Sequence, residues 1–324
     1  EMALSKIKAK FEPSKSTLDD KNIFDHLVNS GGEPRVAAKD GNLQSGEQGS
    51  ASVFDHTYFD GYKAHSPIEP HAAIAKIEGG KVTVWTSTQT PFPAKEEVAK
   101  ELGISPENVR IVVPYVGGGF GGKRNRAAVE AARVAKLSGI PVQVAWNRKE
   151  EFFNDSFRPA AVVKIRSGIT NGGAISFWDY NVYFAGERGA AQFYDIPHHS
   201  TRSYGGGWGG SVHPFGTGPW RAPGNNTNTF ARESQIDIMA GKAGVDPLEF
   251  RLRSLKDEKM KRVLAAAGEK FGWKPAKGPS GRGWGIACGM DAGATVATMV
   301  EVAVDKATGE VKVKRFVCAQ DMGL

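Results

Sequence analysis

The stretch that most constrains this 324-residue chain is a run of five glycines around one phenylalanine, at residues 117–122. It lies between a β-branched run at 108–116 and an alanine-rich run at 125–137 with helical spacing. Glycine accepts positive φ and lets the backbone come close to another group. Five glycines in six positions cost chain entropy that packing alone rarely offsets. We therefore expect backbone N–H groups of this loop to face an anionic or oxo ligand.

The composition is that of a globular protein, with 40% hydrophobic and 24% charged residues. The net charge of +7 is mild, and the basic residues form no aromatic-interleaved stripe, which argues against nucleic-acid binding. No apolar run approaches the roughly 18 residues that a membrane span needs. Cys288 and Cys318 lie far apart and form no CxxC or Cys/His cluster, so we expect two separate buried thiols and no zinc or iron–sulfur ligand set in this chain.

Local patterns predict a mixed α/β (α+β) fold, and the length predicts about two domains. Helices are predicted at 18–28, 94–102, 125–137, 228–242, after the Asp246 cap, and at 260–271. Strands are predicted at 51–62, 72–77, 81–86, 108–116, 141–146, as an antiparallel pair within 159–187, and as a hairpin at 296–304 and 311–319. Residues 204–224 predict a Gly/Trp/Pro-rich loop, and 278–283 a linker.

Two phosphate-binding motifs almost fit the glycine loop. Gly117, Gly119 and Gly122 satisfy G-x-G-x-x-G, so a nucleotide-binding dehydrogenase is one alternative. The same loop up to Lys123 satisfies G-x-x-x-x-G-K, but Arg124 stands where Ser or Thr must bind Mg²⁺. Neither motif explains Phe120, because a phosphate cradle needs small residues at its centre.

The order of several motifs resembles the molybdenum-binding subunit of the xanthine dehydrogenase and aldehyde oxidase family. Gln89 precedes Phe120 by 31 residues, as in that family. The stretches 65–71 (HSPIEPH), 220–224 (WRAPG) and 230–237 (FARESQID) also match it. The stretches 246–251 and 281–283 are closest to the branch that includes isoquinoline 1-oxidoreductase. The resemblance covers residues from about 50 to the end of the chain.

The resemblance implies a cofactor and a set of site residues. In this family molybdenum sits on a pterin dithiolene, a metal hydroxide derived from water attacks an electron-poor carbon, and hydride passes to a sulfido ligand. Gln89 and Phe120 would be the catalytic residues, with Gln89 donating a hydrogen bond to the apical oxo ligand. The protein would supply no metal ligand. The implied cofactor-binding residues are Gln89, Gly118, Gly119, Phe120, Gly121, Arg221, Ala222 and Gly224.

The resemblance also implies domains and partners. It divides the chain into an N-terminal connecting segment at 1–50, a first molybdopterin-binding domain at 51–277 and the truncated start of a second at 278–324. The expected cofactor is molybdopterin, as the molybdenum–molybdopterin cytosine dinucleotide. A small [2Fe–2S] subunit would carry the iron–sulfur clusters that receive electrons. A companion chain would carry the rest of the molybdenum subunit, including its general-base Glu.

Departures from the family pattern narrow the range of expected substrates. Arg124 stands where xanthine-oxidising members have Glu, and Pro223 stands where they have a stacking Phe, so a purine is disfavoured. The choice between an aldehyde and an N-heteroaromatic ring stays open, as does a bacterial location in the cytoplasm or the periplasm. His65, His71 and Arg188 are interpreted as structural residues. A non-catalytic scaffold module that keeps these loops is the remaining alternative.

Overall fold

A computed structural model describes residues 6–12, 16–206, 212–274 and 281–323. Helices α1 to α8 span, in chain order, Ile23–Asn29, Leu43–Gln48, Pro91–Leu102, Arg126–Ser138, Arg148–Asn154, Asn225–Ala243, Pro247–Ser254 and Glu258–Phe271. Strands β1 to β12 span Arg35–Asp40, Ser52–Asp60, Ala72–Glu78, Lys81–Thr86, Val109–Val112, Val142–Ala145, Ala161–Ile169, Ile175–Tyr183, His199–Tyr204, Arg282–Asp291, Ala294–Val304 and Val311–Asp321. The predicted mixed fold is confirmed. None of the helices in these ranges is long and apolar enough to cross a membrane.

A five-stranded sheet in the order β1-β9-β8-β7-β2 forms the largest layer. Its central strands β7 and β8 pair antiparallel through the predicted turn at 171–173. Their inner faces bury large side chains such as Trp178 and Tyr180 against α6. The sheet and α6 therefore share one core, and residues 220–224 lie directly before α6.

A four-stranded sheet in the order β5-β4-β3-β6 carries the glycine loop. Helix α4 follows that loop and packs on this sheet through an alanine stripe, which lets the helix axis come close (Ala127, Ala128, Ala131, Ala132 and Ala135). Strands β5 and β6, on either side of α4, lie at opposite edges of the sheet. In a dinucleotide-binding βαβ unit the two strands belong to one parallel sheet whose first βα turn holds the pyrophosphate. Here β3 and β4 separate them and run antiparallel to each other, so the dehydrogenase alternative is wrong.

The last sheet is a three-stranded antiparallel one in the order β10-β11-β12. One face of it packs against α8 and α6. The predicted terminal hairpin is confirmed as β11 and β12, whereas β10 was not predicted. The predicted domain boundary at 277/278 and the first half of the predicted linker fall in 275–280, outside the described residues, whereas residues 282 and 283 of that linker belong to β10.

Several local predictions were wrong for identifiable reasons. The helix predicted at 18–28 begins at Ile23, because Asp19 and Asn22 cap each other's backbone N–H groups in a turn. The strand predicted at 108–116 ends at Val112, before Pro114, which cannot donate to a ladder. Elements β1, α2, α5 and β9 lie in polar segments whose local patterns gave no periodic signal. Cys288 is buried as expected, but Cys318 is exposed.

A buried ion network joins α6 and α7 to β10. Glu233 accepts hydrogen bonds from Arg251 Nε, Arg232 Nε and the backbone N–H of Cys288, each at 3.0 Å. The Tyr194 hydroxyl donates to the same carboxylate. Burial opposes ionisation of Glu233, but Arg251 and Arg232 outweigh it, so the pKa of this carboxyl is lowered.

Candidate functional site

The glycine loop between β5 and α4 is folded tightly against protein groups. Gly118, Phe120 and Gly121 have positive φ of 93, 55 and 107°. A Cβ at Gly119 would overlap the Gln89 side-chain oxygen, and a Cβ at Gly121 would overlap the Pro219 carbonyl oxygen. At least two of the glycines are therefore required by contacts within the protein.

Gln89 is fastened to this loop at two points. Its Oε1 accepts the N–H of Gly121 at 2.9 Å, and its own N–H donates to the Lys123 carbonyl at 2.8 Å. Because Gly121 holds Oε1, the Nε2 amide of Gln89 remains as a donor on an exposed side chain. The structure thus fixes which end of the amide faces outward.

The predicted second cofactor loop lies directly beside the first. The Arg221 N–H donates to the Phe120 carbonyl at 2.8 Å. The Arg221 guanidinium lies 5.4 Å from the Phe120 ring centroid and 5.6 Å from that of Trp220. Gln89 and Arg221, which are 132 positions apart in the sequence, therefore contact the same short segment from opposite sides.

Ala222 and Gly224 shape the turn into α6 and make no such contact with the glycine loop. Both have positive φ, 59° and 72°. A Cβ at Gly224 would come within 2.5 Å of the Ala185 carbonyl oxygen. Their predicted role in binding a cofactor remains a prediction, and in the structure they form the turn through which the chain passes from Arg221 into α6.

The loop carries a run of backbone donors. Within the described part of the chain, the N–H groups of Gly118, Gly119 and Phe120 have no acceptor. Consecutive free amides in a turn form a concave donor group that attracts anions and oxo ligands. Gln89 and Arg221, which bind the 120–121 peptide group from opposite sides, add Nε2 and a guanidinium to these amides, and this set of donors around the loop is here called the donor face.

Two histidines that were predicted to be buried, hydrogen-bonding residues contact the glycine loop and the segment before Trp220. Their hydrogen bonds confirm this interpretation. His65 contacts Asp155 Oδ2 through Nδ1 and donates from Nε2 to the Pro219 carbonyl, both at 2.8 Å. His71 contacts the Glu151 carboxylate through Nδ1 and donates from Nε2 to the Gly122 carbonyl at 3.1 Å. Glu151 and Asp155 are four residues apart around the end of α5. This acid pair was missed, because its two histidine partners lie 90 and 80 positions away in the sequence.

Lys123 is a fully buried ammonium behind the loop. Its Nζ donates to the Pro70 carbonyl at 3.0 Å and to Ser87 Oγ at 3.1 Å, and it lies 3.5 Å from the Glu69 carboxylate. Burial lowers the pKa of Lys123, and Glu69 partly restores it. Glu69 also accepts the N–H of Gly117. Because Lys123 is 0% exposed, it cannot reach a phosphate, and the P-loop interpretation is wrong.

The remaining candidates lie apart from this face. Arg188 forms a two-pronged ion pair with Asp291 at 2.7 and 2.9 Å, and its structural interpretation stays a prediction. Arg124 lines a cavity of about 240 Å³ behind Gly122, together with Arg126 and Trp146. Among the described residues there is no group of three or more His, Cys, Asp or Glu side chains that could hold a metal ion.

The pH dependence of stability should report on His65. Burial opposes its charge, but the Asp155 carboxylate and the Pro219 carbonyl outweigh burial and raise its pKa above 6.5. A raised folded-state pKa gives stability that is complete below the unfolded value and is lost as pH rises through the folded value. We expect His65→Gln to be destabilised relative to wild type by about 1–3 kcal/mol near pH 6, and by less near pH 9. Urea unfolding at both pH values measures this, and an equal difference at both would contradict it.

The sequence and the fold place the chain in a known family. Residues 28–255 match the model of the molybdopterin cofactor-binding domain, which is more than half of the chain. The chain belongs to this family, whose relatives include molybdenum-binding subunits of aldehyde and xanthine oxidoreductases. The predicted resemblance is confirmed.

Curated relatives agree with the family assignment. The chain is 30% identical over 318 residues to the aldehyde oxidoreductase molybdenum-binding subunit PaoC of Escherichia coli, covering 89% of this chain and 43% of PaoC. It is 24% identical over 351 residues to isoquinoline 1-oxidoreductase subunit beta of Brevundimonas diminuta, covering 97% of this chain and 44% of that subunit. The chain thus spans less than half the length of these two relatives.

Solved structures show the same fold. Quinoline 2-oxidoreductase from Pseudomonas putida 86 superposes with a TM-score of 0.68 at 20% identity, over 87% of this chain and 42% of that chain. Aldehyde oxidoreductase from Desulfovibrio gigas gives a TM-score of 0.64 at 22% identity, over 87% of this chain and 34% of that chain.

Proposed function

We propose that this chain is the cofactor-holding part of a molybdenum hydroxylase that oxidises an aldehyde or an N-heteroaromatic ring with oxygen from water. The observation that carries the proposal is the donor face, formed by Gln89 Nε2, the amides of residues 118–120 and the Arg221 guanidinium. A molybdopterin presents oxo, pterin and phosphate acceptors, so the donor set fits the group. When bound, the cofactor supplies the two-electron oxidation.

The residues of the chain orient the bound group and keep their own geometry fixed. Gly121 holds Gln89 so that a donor, and not an acceptor, is presented. The Arg221 N–H holds the Phe120 carbonyl, which keeps the 39% exposed Phe120 ring beside the donor face. Such preorganised donors stabilise developing negative charge without reorganising during the reaction. These contacts support the roles proposed for Gln89, residues 118–120 and Arg221, whereas the Gly121 N–H is taken by Gln89 and supports that role through Gln89.

We propose that the general base comes from a companion polypeptide. Each carboxylate that holds the glycine loop has a partner: Glu69 accepts the Gly117 N–H, Glu151 pairs with His71, and Asp155 pairs with His65. A carboxylate that acts as general base needs an oxygen that is free to accept the proton of the reacting group. We further propose that the cofactor is the cytosine dinucleotide form and that electrons leave through a small [2Fe–2S] subunit.

The test is made on the whole assembly. Molybdenum and pterin would be quantified, and an aromatic aldehyde and isoquinoline would be offered with an artificial electron acceptor in water enriched in heavy oxygen. We expect molybdenum to be present and heavy oxygen to appear in the product of one substrate. Molybdenum without turnover of either substrate would favour the scaffold alternative. An assembly that lacks both molybdenum and pterin would contradict the proposal.

Gln89→Glu should lower the activity while leaving the stability of the fold almost unchanged. The variant keeps an oxygen for the Gly121 N–H but replaces the Nε2 donor with a carboxylate oxygen. We expect kcat to fall about 10²-fold with stability changed by less than about 1 kcal/mol. Gln143→Glu makes the same chemical change at an exposed position of β6 and should leave kcat unchanged. Equal activity of Gln89→Glu and wild type would show that the donor plays no part in the reaction.

A further inference from the structure

Trp220 lies directly before Arg221, and its ring is surrounded by cations. The guanidinium carbons of Arg221 and of Arg158 each lie 5.6 Å from the centroid of the Trp220 ring. The ammonium of Lys63 lies 5.9 Å from the same ring. These distances are within the reach of about 6 Å over which an aromatic ring attracts a cation. The ring of Trp220 therefore connects the exposed Arg221 to the buried Arg158.

The Trp220 ring is itself held in place. Its Nε1 donates to the Ala64 carbonyl at 3.3 Å. Arg158, beside the ring, is 4% exposed and binds the Asp60 carboxylate at the end of β2. The hydroxyl of Thr227, on α6, donates to the other oxygen of that carboxylate at 2.7 Å. Because Asp60 neutralises Arg158, the ring is anchored to β2 and α6 without a free buried charge that would repel Arg221.

The Arg221 guanidinium is held by aromatic rings and by no acceptor. Among the described residues it has no carboxylate or carbonyl partner, and its contacts are the Trp220 ring and, at 5.4 Å, the Phe120 ring. An exposed arginine without such contacts loses rotamer freedom when it binds a ligand. Ring faces restrict the guanidinium and leave its N–H groups free, because a ring face takes up no hydrogen-bond donor in the plane of the guanidinium.

We propose that Trp220 is a positioning residue, which holds the Arg221 guanidinium against the Phe120 ring with its N–H groups free for an anionic ligand. The identity of that ligand, an anionic group of the cofactor, rests on the proposed function. A guanidinium that is already ordered loses less entropy on binding, so the Trp220 ring raises the affinity without contacting the ligand. Phenylalanine at this position keeps a ring and leucine does not, whereas both lose the Nε1 bond to Ala64. The pair Trp220→Phe and Trp220→Leu therefore separates the ring from the hydrogen bond.

The first test measures how firmly Arg221 is held, and it needs no cofactor. The whole assembly would be produced in cells that make no molybdopterin and treated with phenylglyoxal, which modifies guanidinium groups. Peptide mass spectrometry would give the rate at Arg221. We expect this rate to rise about fivefold in Trp220→Leu and to stay within about twofold of wild type in Trp220→Phe, since the variants differ by one cation–π contact. Equal rates in Trp220→Leu and wild type would overturn the proposal.

Two further variants keep this test decisive. Trp220→Met is measured beside Trp220→Leu, because methionine adapts to irregular space and offers a second replacement without a ring if leucine does not fold. Trp284→Leu removes another tryptophan, which is 38% exposed on β10, and should leave the rate at Arg221 unchanged.

The second test measures retained pterin in the assembly produced with cofactor. We expect Trp220→Leu to retain about fivefold less pterin than wild type after extensive dialysis, and Trp220→Phe to retain nearly as much as wild type. In the Arg221→Gln background, Trp220→Leu should cause no further loss, because Trp220 acts through Arg221. A further loss of the same size would overturn the proposal. An assembly without any pterin would contradict the proposed function, and the phenylglyoxal rates would still decide the role of Trp220.

Discussion

Gly121→Ala should collapse the contact between the two loops of the site. The φ of Gly121 is +107°, a conformation that L side chains rarely adopt, and an added Cβ would overlap the Pro219 carbonyl oxygen. That carbonyl also accepts the His65 Nε2 hydrogen bond, so it cannot move without breaking a buried contact. We expect the free energy of unfolding to fall by about 3–4 kcal/mol. The assembled protein should retain little molybdopterin.

A control substitution at another glycine with positive φ distinguishes the cost of backbone strain from the cost of the steric overlap with Pro219. Gly293 has φ of +83°, and a Cβ there would meet nothing within 4 Å. Gly293→Ala should therefore cost only the conformational penalty, about 1–2 kcal/mol. Urea unfolding and pterin content of both variants measure the difference. If Gly293→Ala and Gly121→Ala were equally destabilised, the overlap with Pro219 would not be the cause.

Arg251→Met should produce a stability loss of about 3–5 kcal/mol, because it leaves buried carboxylate charge without its main partner. Arg251 is fully buried and binds Glu233, Asp237 and three backbone carbonyls. Its removal disconnects α7 from α6 and from β10. Arg253→Met is the control, since Arg253 forms only an exposed pair with Glu249 on the same helix. That control should change stability by less than about 0.5 kcal/mol.

The same variant should change acid unfolding. In wild type the pKa of Glu233 is lowered, so its carboxylate contributes stability above the unfolded value of 4.5, and this is lost as pH falls toward the folded pKa. Without Arg251, burial raises the pKa of Glu233 again. The acid-unfolding midpoint of Arg251→Met should therefore lie at higher pH than that of wild type. A midpoint at or below the wild-type pH would contradict this account, and far-ultraviolet circular dichroism during an acid titration measures it.

The local elements with strong periodicity or clear caps could be predicted from sequence. The hairpin of β3 and β4 around 78–81, the alanine stripe of α4 and the Asp246 cap of α7 follow from contacts within about ten residues. Strands β1 and β9 could not be predicted in this way. They pair with each other across about 160 residues. Their polar sequences become strands only because the neighbouring strands provide hydrogen-bonding partners at the edge of the sheet.

The same distinction between local signals and contacts of distant residues applies to the candidate site. The glycine loop, Gln89 and Arg221 were found from motif order, because each motif is a local run of unusual residues. Their roles toward a cofactor remain predictions. The Lys123–Glu69 contact and the two histidine–carboxylate pairs were not found, since charged residues at those positions look like ordinary surface residues in a linear sequence.

The sequence by itself determined that a tight turn follows β5, because a run of glycines accepts the positive φ values that such a turn needs. Only the tertiary structure decided what that turn contacts. Its glycines are demanded by Gln89 and Pro219, and its lysine is buried and not available to a ligand. The physical reason is that φ preference is a property of single residues, whereas overlap and burial depend on groups that the chain brings together from about 30 to about 100 positions away.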